Sequence, residues 1–331
     1  MKTSPTVRIH RFENLCRFSW IVLFYTILVI VWGAYVRATG SGAGCGNHWP
    51  LCNGRVIPRQ PVLETLVEYS HRITSGLSVI LISVLAAFVF KIHSKGHLAR
   101  KAAAFSVLFI FQEALIGAGL VLYGLVTHNQ SAARVFSLGL HLGNTFLLTA
   151  ALALTAVWSR DAKAVFHFPR SIARYGVWAA VLGCLAIGIT GSIAALGDTL
   201  WPSQGASVQG LVEGIRNDLS STTPTLLRLR VFHPVLAISY GLCLILGVFS
   251  VIAKLNGTSQ KASSLGTLLI VLVVTQLGIG ITNLALLAPV WIQMIHLLLA
   301  NTLWITLILF IAALYEVKAF SENQSSDLTL G

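Results

Sequence analysis

The sequence predicts an all-α integral membrane protein of eight spanning helices, arranged as two pseudo-symmetric four-helix bundles in parallel repeat. Three observations lead there: the hydropathy of the chain, the placement of its basic residues, and a resemblance between its halves. Of 331 residues, 55% are hydrophobic and only 10% charged, with a mean hydropathy of +0.78. A soluble domain carries roughly a quarter charged residues. A hydrocarbon core needs about 20 apolar residues per helix. On that measure spans fall at 18–38, 67–90, 102–124, 135–158, 175–196, 227–253, 265–287 and 290–315. These runs exceed strand length and lack the alternation of an outer-membrane barrel.

Taken in order, the first span is too long for a signal-peptide core. It is followed by Arg37 and a glycine-rich stretch at 40–46 rather than a small-residue cleavage site, so it reads as a retained helix. The remaining spans are oriented by charge. With the N-terminus inside, the inside segments collect Lys2, Arg8, Arg11 and Arg17, then Lys91, Lys95, Arg100 and Lys101. They continue with Arg160, Lys163, Arg170 and Arg174, then Lys254, Lys261 and Lys318. The outside loops hold Arg55, Arg59, Arg134 and Arg216, and the outer helix ends hold Arg37, Arg72, Arg228 and Arg230. Both termini are therefore expected in the cytoplasm. The net charge of +12 is topology rather than nucleic-acid binding.

The chain divides accordingly into a cytoplasmic tail 1–17, a bundle 18–158, a basic linker 159–174, a bundle 175–315 and a tail 316–331. The halves echo each other. Thr39-Gly40-Ser41 and Trp49-Pro50 match Thr190-Gly191-Ser192 and Trp201-Pro202, and Gln112 on helix three matches Gln276 on helix seven. Four helices per unit give both copies one orientation, related by an axis along the membrane normal.

Within this frame His71, His141, His233 and His296 lie one on each even-numbered helix, four to seven residues past its outer edge. That places them roughly 6–10 Å deep on one level. A lone membrane histidine is as readily a helix-to-helix hydrogen bonder as a ligand. Two matched pairs point to two bis-histidine haem sites, because facing imidazoles can hold an iron around which a bundle core accommodates the macrocycle. Zinc or copper would want its ligands in one cluster.

The outer arginines Arg37, Arg72, Arg228 and Arg230 are candidates for haem propionates, or snorkel to lipid phosphates. Glu68 shares a helical face with His71. It is either a proton-handling carboxylate beside the haem or an interfacial acid paired with Arg72. In the second half Arg230 stands at the corresponding place before His233, which expects chemistry in the first bundle and another task in the second. Glu113, the deepest acid, is read as a cross-helix hydrogen bonder and given no catalytic role. Cys45 and Cys52 share the first outside loop, where a disulfide, a redox-active pair or a metal site with His48 all fit. Cys16, Cys184 and Cys243 read as tail or packing residues. No dinucleotide or phosphate-loop fingerprint is present.

Several segments carry a resemblance. Arg37-Ala38-Thr39-Gly40-Ser41-Gly42, the run Cys45 to Asn53 with Trp49-Pro50-Leu51-Cys52, and Glu68-Tyr69-Ser70-His71-Arg72 resemble the haem A synthase family. So do Leu140-His141-Leu142, Phe232-His233-Pro234 and Gln293-Met294-Ile295-His296-Leu297. The resemblance implies oxidation of the C8 methyl of haem O to a formyl group through hydroxylated intermediates, giving haem A for terminal oxidases. It implies a substrate haem on His71 and His141, a haem b on His233 and His296, Glu68 assisting the chemistry, and a Cys45–Cys52 disulfide. It further implies a haem O synthase and terminal oxidase assembly factors as partners, an unidentified electron donor, and the bacterial inner membrane with haem sites near its outer face. The second-half loop, including Gly197 to Ser207, lacks the further cysteine pair of some members. A dihaem b-type electron-transfer cytochrome or a haem carrier would use the same histidines.

Overall fold

The computed structural model describes residues 5–160, 173–201, 216 and 225–327. Among these residues the regular elements are helices, joined by turns and loops. The helices are α1 (Pro5–Ala38), α2 (Leu63–Ile92), α3 (Leu98–Leu122), α4 (Ala132–Trp158), α5 (Ala173–Leu200), α6 (Thr225–Leu255), α7 (Gln260–Ala285) and α8 (Val290–Asp327). A single 3-10 turn (Ser41–Ala43) follows α1. Each of the eight helices contains a segment long and apolar enough to cross a membrane, so the chain is a multi-pass membrane protein.

All eight expected spans are present, with ends that run beyond the apolar core. Polar residues extend several of them. Ser131 Oγ accepts the N–H of Arg134, Ser259 Oγ that of Ala262, and His97 Nδ1 that of Ala99. The expected tails are continuous with helix: α1 begins at Pro5 and α8 continues to Asp327. The histidines consequently lie deeper from their helix starts than the apolar edges suggest. His71, His141, His233 and His296 are six to nine residues in, or about 9–14 Å along the axis.

Packing follows a repeated order. α1 packs on α2, α2 on α3, α3 on α4, and α4 returns to α1. The second half repeats this from α5 to α8, with α8 returning to α5. Between the halves, α4 meets both α5 and α8, and α1 meets α8. Small residues make that approach close. A Cβ placed on Gly188 of α5 would stand 2.6 Å from Phe146 of α4.

Phe146 also stacks on Trp304 of α8, with centroids 5.3 Å apart and planes 16° from parallel. The Trp304 indole N–H donates to the Phe146 carbonyl at 2.6 Å. Arg37 of α1 forms the polar counterpart. It donates to Ala195 O and Thr199 Oγ1 of α5, each at 2.8 Å, and to Gln293 Oε1 of α8 at 3.1 Å. Trp304 is 1% exposed, so Trp304→Ala should destabilise the protein by about 3–5 kcal/mol. Thermal unfolding in detergent measures this.

Candidate functional site

One continuous cavity of about 1240 Å³ runs between the helices and is lined by all four imidazoles. Ordinary ligand pockets reach about 1,000 Å³. His71 and His141 are near enough for charges on them to interact, as are His233 and His296. Space for the rings comes from glycines. A Cβ on Gly33 would stand 2.7 Å from His71 Cε1, one on Gly191 3.0 Å from His233 Cε1, and one on Gly280 3.2 Å from His296 Cε1. A separate cavity of about 1070 Å³ opens on the other face of α4, beside α3 and α5, and holds none of the four.

The imidazoles differ in what holds them. The Thr190 hydroxyl lies 2.9 Å from Ile187 O and 3.0 Å from His233 Nδ1; with its one proton on Ile187 O, its oxygen accepts from His233 Nδ1–H. That leaves His233 Nε2 bare, as an iron ligand requires. His141 Nδ1 lies 3.3 Å from Glu113 Oε1, a close approach short of a well-aligned hydrogen bond. The Gln276 amide nitrogen lies 3.3 Å from His296 Nε2 and 3.2 Å from its carbonyl. His71 Nδ1 and His296 Nδ1 are buried without a partner. Four imidazoles in an apolar cavity, three of them (His71, His141 and His296) with an Nδ1 that makes no hydrogen bond, are a donor set that suits haem iron. To offer Nε2 to iron, His296 must first leave Gln276.

At the end of the cavity beside the loop after α1, Glu68 is 3% exposed. Its Oε2 accepts the Cys45 N–H at 2.7 Å, and its Oε1 accepts Arg72 Nε at 3.1 Å and also Arg72 Nη2. Arg72 Nη1 then holds His48 O at 2.5 Å and Leu51 O at 2.7 Å. Those carbonyls belong to the loop closed by the Cys45–Cys52 disulfide. Gly40, at φ 71, makes the turn that starts this loop after α1. Glu68 is thus paired with Arg72, as one reading expected, and also lines the cavity of His71. The disulfide uses both thiols, which removes the metal site with His48; no cluster of three or more metal-binding side chains occurs among the described residues.

The arginine candidates Arg37, Arg72 and Arg230 line the same cavity and all engage protein acceptors. Arg230 reaches Asp198 Oδ1 at 3.3 Å and Trp201 O at 3.1 Å. The side chain of Arg228 lies outside the described residues, as do Pro202 and most of the second-half loop.

Two proposed half-to-half matches fail in three dimensions. Thr39-Gly40-Ser41 lies beyond the end of α1, whereas Thr190-Gly191-Ser192 is inside α5. Gly33 performs the task of Gly191, because it is the residue beneath the next helix's histidine. Likewise Gln276 corresponds in position to Glu113, which reaches His141, and not to Gln112, which faces the other cavity.

Sequence reading also missed Arg134, placed in an outside loop. It is 3% exposed and lines the histidine cavity. Its Nη1 donates to Thr127 O at 2.5 Å and Asn129 O at 2.8 Å, and its Nε has no partner. Its place three residues into α4 was the available signal.

The family model for the cytochrome oxidase assembly protein, COX15-CtaA, matches residues 16–308. The chain belongs to that family. A haem A synthase of Halalkalibacterium halodurans is 32% identical over 314 residues, covering 93% of this chain and 99% of that protein. A haem A synthase of Alkalihalophilus pseudofirmus is 39% identical over 145 residues, 44% of this chain and 46% of its own. A protohaem IX farnesyltransferase of Thermus thermophilus is 42% identical over 302 residues, 91% of this chain and 48% of that protein. The chain thus spans about half the length of that last relative. Family membership extends across both halves of the cavity.

The disulfide generates a direct check. Alkylation of the unreduced, denatured protein should label Cys16, Cys184 and Cys243 and leave Cys45 and Cys52 unmodified until reduction. Intact and peptide mass analysis reads the difference.

Proposed function

We propose that this family member is a haem A synthase, oxidising the C8 methyl of haem O to a formyl group to supply haem A to terminal oxidases. The observation that carries this reading is the single apolar cavity holding two pairs of neighbouring imidazoles, with a buried glutamate beside only one pair. A relative named haem A synthase, matched along 99% of its length, supports it.

In this reading His71 and His141 ligate the substrate haem, and His233 and His296 ligate a resident haem b. When bound, haem b supplies one-electron exchange. The chain's own residues do the rest. Thr190 orients His233 by fixing its tautomer. Gly33 and Gly191 let the imidazoles lie against their neighbouring helices. Glu68 is the catalytic carboxylate, and releasing one of its oxygens from Arg72 would let it take a proton at the cavity mouth. The basic groups Arg37, Arg72, Arg228 and Arg230 are the propionate candidates, joined by Arg134 with its open Nε.

The two bundles, residues 18–158 and 175–315, would be related by a pseudo-twofold axis along the membrane normal. The repeated packing order of α1–α4 and α5–α8 supports this. The basic-residue bias supports cytoplasmic termini in a bacterial inner membrane, with the haem sites toward the outer face. A haem O synthase is the natural supplier of substrate. A relative named for farnesyl transfer to haem, half of whose length matches this chain, supports that partnership. Terminal oxidase assembly factors would take the product.

The test is expression with a haem O synthase in a host lacking its own haem A synthase, followed by chromatography and mass analysis of extracted haems. Haem A, or its hydroxylated precursor, is the expected product. Unchanged haem O in folded, haem-loaded protein supplied with oxygen and reductant would favour a dihaem electron-transfer cytochrome.

Two variants resolve the roles. Glu68→Gln should retain haem yet lose conversion; wild-type turnover would remove Glu68 from the mechanism. Because Gln breaks the ion pair with Arg72, haem content is measured on the same preparation. His233→Ala should lower retained haem b, and an unchanged haem b spectrum would overturn that site.

A further inference from the structure

We propose that Glu113 is a positioning residue for the substrate-side haem. It gives His141 a carboxyl partner that His296 lacks, so that the two haem irons are held at different reduction potentials. This rests on the four histidines being the haem ligands.

The geometry begins on α4. Asn144 and Thr145 follow His141 by three and four residues, so all three side chains share one helical face. That face meets one carboxylate from α3. Asn144 Nδ2 donates to Glu113 Oε2 at 2.6 Å, and the Thr145 hydroxyl lies 2.5 Å from Glu113 Oε1. His141 Nδ1 approaches the same Oε1 at 3.3 Å. The second hydrogen of the Asn144 amide goes to Phe109 O at 2.9 Å, one turn earlier on α3, which fixes the amide's orientation.

No arginine or lysine is among the partners described for Glu113, in contrast to Glu68, whose carboxylate is tied to Arg72. Of the two acids near the first histidine pair, one faces an arginine and the other faces an imidazole. A carboxyl group 3.3 Å from Nδ1 is placed to accept its N–H once the contact tightens, which would turn Nε2 toward the cavity and strengthen it as a ligand. Hydrogen bonding behind an axial ligand is one of the levers by which a protein sets an iron's potential.

The second half differs at this point. On α7 the residue that reaches the α8 histidine is Gln276, a neutral amide. It touches His296 at Nε2 and at the main-chain carbonyl, and Nδ1 of that ring has no partner. A carboxylate behind one ligand and an amide near the other predict a lower potential for the His71–His141 iron than for the His233–His296 iron. At an ambient potential between the two values, the first-half iron would be oxidised and the second-half iron reduced.

The experiment is a spectroelectrochemical titration of the detergent-purified holoprotein carrying both haems. Glu113→Gln should raise the potential of the first-half haem and leave the other in place. The reciprocal Gln276→Glu should lower the potential of the second-half haem. A His233→Ala background, titrated in parallel, identifies the first-half signal. If both potentials stay at their wild-type values, or if each variant moves both haems alike, the proposal is overturned.

Loss of haem from Glu113→Gln, restored by Glu113→Asp, also supports positioning. If neither form holds haem, Gln276→Glu alone decides, since it adds a carboxylate without removing one. The ligand assignment is tested separately. His141→Ala and His296→Ala should each abolish one low-spin signal, and retention of both low-spin signals would overturn the ligand reading whatever Glu113 does.

Discussion

The end of the cavity beside the disulfide loop depends on the ion pair between Glu68 and Arg72. One turn of α2 supplies both partners, so the pair forms as soon as that helix does. Its reach is longer than its sequence separation. Glu68 captures the Cys45 N–H, and Arg72 captures two carbonyls of the disulfide loop. The loop is therefore held over the first-half histidines by charge-assisted bonds as well as by its covalent closure. Removing either partner would leave a buried charge uncompensated, a loss of about 3–5 kcal/mol. The same carboxylate lines the cavity that holds His71, so the proton-handling role proposed for Glu68 would compete with the ion pair for its oxygens.

A wider constraint explains why polar groups cluster where they do. Helices in lipid satisfy their own backbone, so polar side chains gain most by facing one another inside the bundle. Here they gather around the histidine cavity and at the contact between halves. Arg37 bridges the halves at the end of α1, and Trp304 with Phe146 bridges them in mid-helix. Both contacts are one-sided: the residues that correspond to them in the opposite half are different. A repeated helical plan thus carries unlike contents. Glu68 stands where the second half has Arg230, and Glu113 where it has Gln276.

Much of the fold was legible because lipid imposes simple rules. Twenty-residue apolar runs gave the eight helices, and only their ends moved, since polar residues such as Ser131 and Ser259 extend helices past the hydrocarbon edge. The four histidines were legible because an imidazole in an apolar run is conspicuous. The disulfide was readable as one option among three, and the closed S–S bond removes the metal site with His48.

Residues whose meaning depends on a neighbouring helix were not readable. Gly33 looks like any membrane glycine until His71 is seen against it, and Arg134 like a loop cation until α4 is seen to begin before it. The match of Gln112 with Gln276 failed because one residue along a helix is about 100° of rotation, enough to turn a side chain from one cavity to the other. By itself the sequence determined which helices cross the membrane and which titratable side chains they carry inward, since hydropathy and charge act along the chain. Only the tertiary structure decided which carboxylate meets which imidazole, because that depends on the rotation of one helix against the next.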